Sequence, residues 1–386
     1  MQSFSYHNPT KVHFGRGVIS KLGVELKAMN SKSVLLVYGQ GSIQRNGVYD
    51  TVTAQLDAAG VAVVTHGGVR GNPVLSHVRD GIGKIHADKI DAICAVGGGS
   101  VIDEAKAIAI GAVAPCDVWD FFCGKASPER AIPLVAISTL PATGSEMNGI
   151  CVVTNEETRQ KNALVKPGVL NPKVAFMDPE TTMSLSSAQT AFACTDILSH
   201  VMEAYFTTSA AALTLQDNLM EAVCRATVAA MKQIMTDPND YDARAAFMWA
   251  ATLAWNGIVQ AGVPGSAMPC HALEMPLSAV YDVAHGAGLS IVLPAWMEIV
   301  GDRHKARIAQ FIRGVFDEDC PHPLAASDMM RQYYQTIGSP VTFDEGGINA
   351  PDIALLSELA TEAFAQRGMT DYTMDIIRKI YNACVE

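Results

Sequence analysis

Four short uncharged runs in the first half limit the fold more than anything else in the chain. They are Ser33–Tyr38, Val61–Thr65, Ala92–Val96 and Leu134–Ile137. Each is rich in Val, Ile or Leu, and none alternates cleanly with polar residues. Strands buried on both faces of a parallel sheet have this pattern. Stretches with helical spacing lie between them, as at Val48–Leu56 and Val74–Ile85. Such alternation predicts an open, mostly parallel α/β sheet. A fifth run, Val174–Met177, ends at Asp178-Pro179. From about Leu185 the strand-like runs stop, and helical patterns follow over Ala188–Phe206, Leu213–Met235, Tyr241–Ala261 and Ile353–Arg367. For 386 residues two domains are expected: an α/β domain over 1–184 and an all-α domain over 185–386.

The third run ends in Gly97-Gly98-Gly99-Ser100, and a helix is expected from about Ser100 to Ala112. Glycines let a backbone approach a ligand closely, and the free N–H groups and dipole of a helix start favour an anion. The loop reads as a pyrophosphate cradle or as a plain tight turn. It is not the Gly-x-Gly-x-x-Gly fingerprint. The first run ends in Tyr38-Gly39-Gln40-Gly41-Ser42, with Arg45 nearby and no acid to hold a ribose 2′-hydroxyl. A polar, uncharged turn tolerates a 2′-phosphate, which favours NADP(H) over NAD(H).

In the second half Asp196 and His200 are spaced i, i+4, which stacks them on one face of a helix. His271 and His285 follow, with Pro276 expected to interrupt any single helix between them. Three imidazoles and a carboxylate suit Zn2+ or Fe2+ and are too nitrogen-rich for Ca2+ or Mg2+. Taken singly, each His also fits a hydrogen-bonded core or surface position. Phe192, Ile197, Val201, Met202 and Tyr205 place the Asp196/His200 pair on an apolar surface, where an unpaired carboxylate is unfavourable. Glu203, close to one turn beyond His200, is a candidate to orient a ligand from behind, but a solvent-facing side chain is the first expectation for it.

The net charge of -11 argues against nucleic acid or an anionic membrane surface as the main partner. The nine Cys residues are scattered, odd in number and without a Cys-x-x-Cys pair, as expected of reduced cytoplasmic thiols. Neither a signal peptide nor a membrane span is visible, so a cytoplasmic enzyme is expected.

Several motifs taken together resemble one family. They are Asn8-Pro9-Thr10 with Phe14-Gly15-x-Gly17, Asn72-Pro73, Gly97-Gly98-Gly99-Ser100-x-x-Asp103-x-x-Lys106, Pro141-x-Thr143-Gly144-Ser145-Glu146, Asp178-Pro179 and the Asp196/His200/His271/His285 set. Their order is similar to that of the iron-containing (group III) alcohol dehydrogenases over nearly the whole chain. Tyr38-Gly39-x-Gly41-Ser42 and Met248-Trp249-Ala250-Ala251-Thr252 with Asn256-Gly257 look most like the butanol-dehydrogenase-type, NADP-preferring aldehyde reductases.

The resemblance implies that 1–184 is a dinucleotide-binding domain and 185–386 a metal-binding domain, with a catalytic metal in the cleft between them, Fe2+ first and Zn2+ as the alternative. Its ligands would be Asp196, His200, His271 and His285. Gly97, Gly98, Gly99 and Ser100 would hold the pyrophosphate, and Gly39 and Ser42 would face the adenosine ribose or its 2′-phosphate. Thr139, Thr143 and Ser145 would contact the nicotinamide side, with Lys161 near its ribose and Asp103 at the cofactor or substrate edge. Asp103 and His271 are the expected catalytic residues. The implied reaction is hydride transfer between nicotinamide C4 and a small aldehyde or primary alcohol, in a homodimer. Many relatives carry a proton-carrying His where this chain has Met275, so water, ribose hydroxyls or Asp103 would have to relay the proton. The alternative function is a metal- and NAD-dependent lyase of the dehydroquinate-synthase type, which the scarcity of basic residues near the ligands opposes.

Overall fold

A computed structural model describes residues 1–385. The first half contains β1 (Lys11–Phe14), α1 (Leu22–Ala28), β2 (Ser33–Tyr38), α2 (Ser42–Arg45), α3 (Val48–Ala59) and β3 (Ala62–Gly67). It continues with α4 (Leu75–Asp88), β4 (Ala92–Gly98), α5 (Gly99–Gly111), α6 (Trp119–Phe122) and β5 (Leu134–Leu140). A hairpin of β6 (Ile150–Asn155) and β7 (Gln160–Val165) precedes β8 (Val174–Met177). The rest is helical: α7 (Ser187–Thr207), α8 (Thr214–Thr236), α9 (Tyr241–Trp255), α10 (Pro269–Tyr281) and α11 (His285–Val300). Last come α12 (Lys305–Phe316), α13 (Pro323–Ile337), α14 (Ile353–Gln366) and α15 (Met374–Asn382).

These elements form two compact units. The α/β unit holds His7–Leu185 and Asn239–Thr252, and the helical unit holds Met1–Tyr6, Ser186–Pro238 and the chain from Leu253 on. The division differs from a single cut after residue 184 because most of α9 clusters with the α/β unit. There the Thr252 hydroxyl donates to the buried Glu146 carboxylate at 2.5 Å, and Trp249 meets Phe14 edge-on at 5.8 Å.

In the α/β unit six strands run parallel in the order β1-β8-β5-β4-β2-β3. Helices cover both faces, which explains the unbroken apolar runs. Val34 and Leu36 of β2 point into one core with Leu26, Val52 and Leu56, while Leu35 and Val37 enter the other with Val78, Ile85 and Ile102. Three strands fall outside the expected set: β1 at the sheet edge and the β6–β7 hairpin, whose mixed polar sequences do not read as buried strands. The run expected at Val61–Thr65 becomes β3, an edge strand that is largely exposed rather than buried. Chain reversal from β3 to β4 across β2 puts a topological switch between the carboxyl ends of β2 and β4, the place where such sheets bind ligands.

In the helical unit α7 is buried on every side from Thr190 to Phe206 apart from Phe192, as a central core helix must be. Ser186 and Gln189 cap its start reciprocally, each side chain accepting from the other's backbone N–H. Its internal hydroxyls are satisfied locally, Thr195 donating to Ala191 O and Ser199 to Thr195 O. Around α7 pack α8, α11 and α12, and α10 packs on α11 and α14. Two sequence expectations change here. Pro276 lies inside α10, and the interruption comes at Asp282, whose left-handed φ of 55° ends that helix. The helix expected through Ala261 stops at Trp255, before Gly257 at φ 92°.

The start of α11 approaches α7 so closely that a Cβ on Gly286 would stand 2.0 Å from the Phe192 carbonyl oxygen. That contact is backbone and cannot yield. Gly286→Ala should therefore lower the thermal unfolding midpoint, by about 2 kcal/mol or more of stability. Gly83 lies within α4 with nothing near its hypothetical Cβ, so Gly83→Ala should add about 0.5–1 kcal/mol of stability and raise the midpoint. Differential scanning fluorimetry on both variants checks the pair, and equal shifts would contradict this account of the α7–α11 contact.

Candidate functional site

Helix α7 carries Asp196 and His200 one turn apart, α10 brings His271 from its first turn, and His285 opens α11. All four side chains converge within the helical unit. Asp196 Oδ1 lies 3.6 Å from His200 Nδ1, 3.8 Å from His271 Nε2 and 3.7 Å from His285 Nε2. These separations exceed hydrogen-bond length. Two ligands bound at about 2.1 Å around a tetrahedral ion stand about 3.4 Å apart, close to the spacing found. Asp196 Oδ1 and His200 Nδ1 are buried and make no hydrogen bond. Polar atoms facing one another unbonded in a core are costly, and a first-row divalent cation among them removes that cost. Burial holds His200 down to about 3, with Asp196 pulling the other way, so this imidazole is neutral at pH 7.

Carboxylates fix two of the rings from behind. His271 Nδ1 bonds Glu203 Oε1, and Glu203 Oε2 accepts the backbone N–H groups of Cys270 at 2.5 Å and His271 at 3.3 Å. Burial pushes Glu203 up to about 8, opposed by those backbone donors. His285 Nδ1 bonds Glu274 Oε2, while the Ser278 hydroxyl donates to Glu274 Oε1. Both pairs turn Nε2 toward Asp196. Glu203, for which the sequence favoured a solvent-facing side chain over an orienting one, is fully buried and orients His271. Glu274 was missed, although a Glu among Leu273, Met275, Pro276 and Leu277 is a visible signal of a buried carboxylate. Met275 follows His271 by one helical turn and meets Arg367, whose Nη2 lies 2.8 Å from the thioether sulfur. Arg367 pairs with no carboxylate among the described residues, its Nη1 donating to Ala363 O at 2.7 Å. Nothing in the residue pattern around Arg367 signals that it packs against Met275 of α10.

In the α/β unit the remaining candidates gather at the carboxyl ends of β2, β4 and β5 and on the hairpin. Room, rather than a special backbone angle, explains the three glycines. A Cβ on Gly97 would come 2.5 Å from Val101 Cγ2, and one on Gly99 would come 2.4 Å from Thr143 Oγ1. Ser100 donates its hydroxyl to Gly71 O at 2.5 Å, fixing the loop after β3. The β4–β5 register steps past Thr139, pairing Gly97 with Ser138 and Gly98 with Leu140. Lys161, on β7, donates to Asn72 Oδ1 at 3.0 Å. Gly39 and Ser42 flank the turn after β2, where Gly41 is left-handed at φ 103°.

Asp103 and Ser145 belong to a buried network that the sequence did not reveal. Lys106 Nζ donates to Ser145 Oγ at 2.7 Å, to Asn148 Oδ1 at 3.0 Å and to Ile150 O at 2.7 Å. Ser145 in turn donates to Asp103 Oδ1 at 2.5 Å, and Asp103 Oδ2 accepts the Val152 N–H at 3.0 Å. Burial pushes Asp103 up and Lys106 down, while each charge opposes the other's shift. Both Asp103 oxygens are engaged, and the network locks α5 to the loop that carries Thr143.

Known proteins resemble the chain over nearly its whole length. The family described as iron-containing alcohol dehydrogenase matches residues 9–179, and the C-terminal region of the Fe-containing alcohol dehydrogenase family matches residues 190–385. The chain is 37% identical to the probable NADH-dependent butanol dehydrogenase 2 of Bacillus subtilis, over 96% of each protein. It is 34% identical to the NADPH-dependent aldehyde reductase YqhD of Escherichia coli, over 99% of this chain and 100% of that one. The crystal structure of NADH-dependent butanol dehydrogenase A from Thermotoga maritima superposes with a TM-score of 0.95 at 36% identity, over 100% of this chain and 99% of that one. Among the described residues no helix is long and apolar enough to cross a membrane. The chain belongs to the iron-containing alcohol dehydrogenase family and is an oxidoreductase that uses a nicotinamide cofactor.

Proposed function

We propose that this enzyme interconverts a small aldehyde and its primary alcohol by hydride transfer to and from nicotinamide C4, with Asp196, His200, His271 and His285 as the ligands of one catalytic divalent metal. The observation that carries the reading is the convergence of three imidazole nitrogens on Asp196 Oδ1 at 3.6–3.8 Å without hydrogen bonds. A ferrous ion bound there, or zinc in its place, supplies Lewis-acid polarisation of the carbonyl. Neutral His200 offers its lone pair, and Glu203 and Glu274 hold the other two rings in the tautomer that leaves Nε2 free to bind. The homodimer is a family-level expectation retained here. Butanol dehydrogenases among the relatives support short aliphatic substrates, and no observation favours the lyase alternative.

Gly97, Gly98, Gly99 and Ser100, at the start of α5, bind the pyrophosphate through backbone N–H groups. Thr139 and Thr143 flank the nicotinamide, and Lys161 stands by its ribose. Ser145 and Asp103 act by holding the Thr143 loop against α5 through Lys106. NADP(H) is the preferred cofactor, because the turn after β2 carries no carboxylate and the Arg45 guanidinium lies within reach of Gly41. Relatives named as NADH-dependent favour the opposite preference, so the ratio of kcat/KM for NADPH and NADH is decisive.

Asp196→Ala should release the metal and lower aldehyde reduction by at least about 1000-fold; a metal-loaded, active Asp196→Ala protein would sink the ligand assignment. Glu274→Gln should keep the fold and weaken metal binding by about 10- to 100-fold, read by chelator competition. A Cβ on Gly39 meets only ordinary contacts, 3.7 Å from Val69 O and 3.8 Å from Val101 Cγ2. Gly39→Asp should therefore fold and reduce kcat/KM with NADPH at least about 10-fold while sparing NADH, through like-charge repulsion of the 2′-phosphate. Equal losses with both cofactors would remove Gly39 from the ribose site.

A further inference from the structure

The α/β unit buries a second group of ionisable side chains that no step above uses. His66 lies on the edge strand β3 and pairs with Val37, on the sheet face that α4 and α5 cover. Of the residues of β3 it alone is fully buried, and Val64, two places earlier on the same face, packs into the apolar core. A core position of this kind calls for an aliphatic side chain. Glu104, midway along α5, is also fully buried, and His77 of α4 is half-buried beside it. The two imidazoles stack with centroids 4.0 Å apart. His77 Nδ1 bonds Glu104 Oε1 at 2.7 Å. His66 Nε2 stands 3.2 Å from the same oxygen without hydrogen-bond geometry, and neither it nor Glu104 Oε2 has any hydrogen-bond partner. A simple His77–Glu104 ion pair accounts for one carboxylate oxygen and leaves these two buried atoms unexplained.

We propose that His66, His77 and Glu104 form a second divalent-metal site, of the zinc class. Two imidazoles and one carboxylate are a zinc donor set with a fourth position left for water. One ligand atom from each residue lies within 4.8 Å of the others. Binding would require the His77 ring to turn about its Cβ–Cγ bond out of its stack on His66. A pocket of about 240 Å³ lined by Gly68, Arg70, Val74, Ser76, His77 and Asp80 opens beside His77. His66 Nδ1 now faces Lys84 Nζ at 3.2 Å and Asp80 Oδ2 at 3.5 Å. With a cation on Nε2, Nδ1 carries the hydrogen and donates it to Asp80, as ligating imidazoles do to carboxylates, and the part-exposed Lys84 swings outward. The ion joins β3, α4 and α5, and so braces the helix whose first turn holds Gly99 and Ser100.

The test is a zinc titration of the chelator-stripped full chain, with bound metal counted after gel filtration. Wild type should hold two equivalents, and His66→Phe, His77→Gln and Glu104→Gln one each. Asp196→Ala should lose the other equivalent; if it keeps both while His66→Phe loses one, the catalytic ligand assignment fails and the second site stands. As a separate readout, zinc should raise the unfolding midpoint of Asp196→Ala, and adding His77→Gln should abolish that rise. Because His77 is half-buried, this variant is the least able to disturb the core. One equivalent in wild type, or two in the His66, His77 and Glu104 variants alike, overturns the proposal.

Discussion

A carboxylate buried against three imidazoles, with none of them near enough to hydrogen-bond its Oδ1, sets the terms for the helical unit. Asp196 occupies that place only because α7 is enclosed on nearly every side, which removes water as a partner. Each neighbouring feature then follows from the same requirement. Gly286 lets the start of α11 touch the backbone of α7, so that His285 reaches the cluster. Glu203 and Glu274 turn two rings inward from behind. Burying ionised carboxylates beside these rings would cost several kcal/mol for each group without a compensating cation. An ion held by the four proposed ligands would therefore link metal affinity to folding in this unit.

The cofactor end of the α/β unit is governed by a cation instead. Lys106 is fully buried on α5, and its ammonium is satisfied entirely by the segment from Ser145 to Ile150. Asp103, on the same helix, reaches that segment through Ser145 and Val152. Two opposite charges one turn apart thus clamp a loop to a helix, with a serine hydroxyl between them. The residues proposed for the pyrophosphate and the nicotinamide belong to the two sides of this clamp. Their separation is set by side chains that the ligand need not touch. Gly99 gives the clamp room, because any Cβ there would displace Thr143.

Strand and helix positions were legible wherever a residue's neighbours in sequence share its environment. The doubly covered strands β2, β4, β5 and β8 show as apolar runs, and α7 shows by its long helical pattern. The order of the strands was not legible, and β1 and the β6–β7 hairpin were missed because they mix polar and apolar residues; the edge strand β3 was found by its apolar run, but not its exposure. The four proposed metal ligands could be read from residue type and the i, i+4 spacing. The burial of Glu274 could be read from its apolar neighbours, but its role and that of Arg367 could not, since both depend on which helices meet. The glycine loop was legible as a site, but its physical reason was not. Proximity to a ligand was the expected cause, and contact with Val101 and Thr143 is what the structure adds.

The proton that accompanies hydride transfer follows from what surrounds Met275. A thioether cannot carry a proton, and the guanidinium of Arg367 against it does not give one up near neutral pH. Asp103 already spends both oxygens on Ser145 and Val152, so releasing or accepting a proton there would break the clamp that sets the cofactor loops. Glu203 and Glu274 are committed to the backs of His271 and His285. With these groups engaged, exchange with solvent water or through the ribose hydroxyls is the route that leaves every observed hydrogen bond intact. On the proposed reaction, side chains would then serve the carbonyl and the hydride donor, while the proton would pass through water or the ribose hydroxyls.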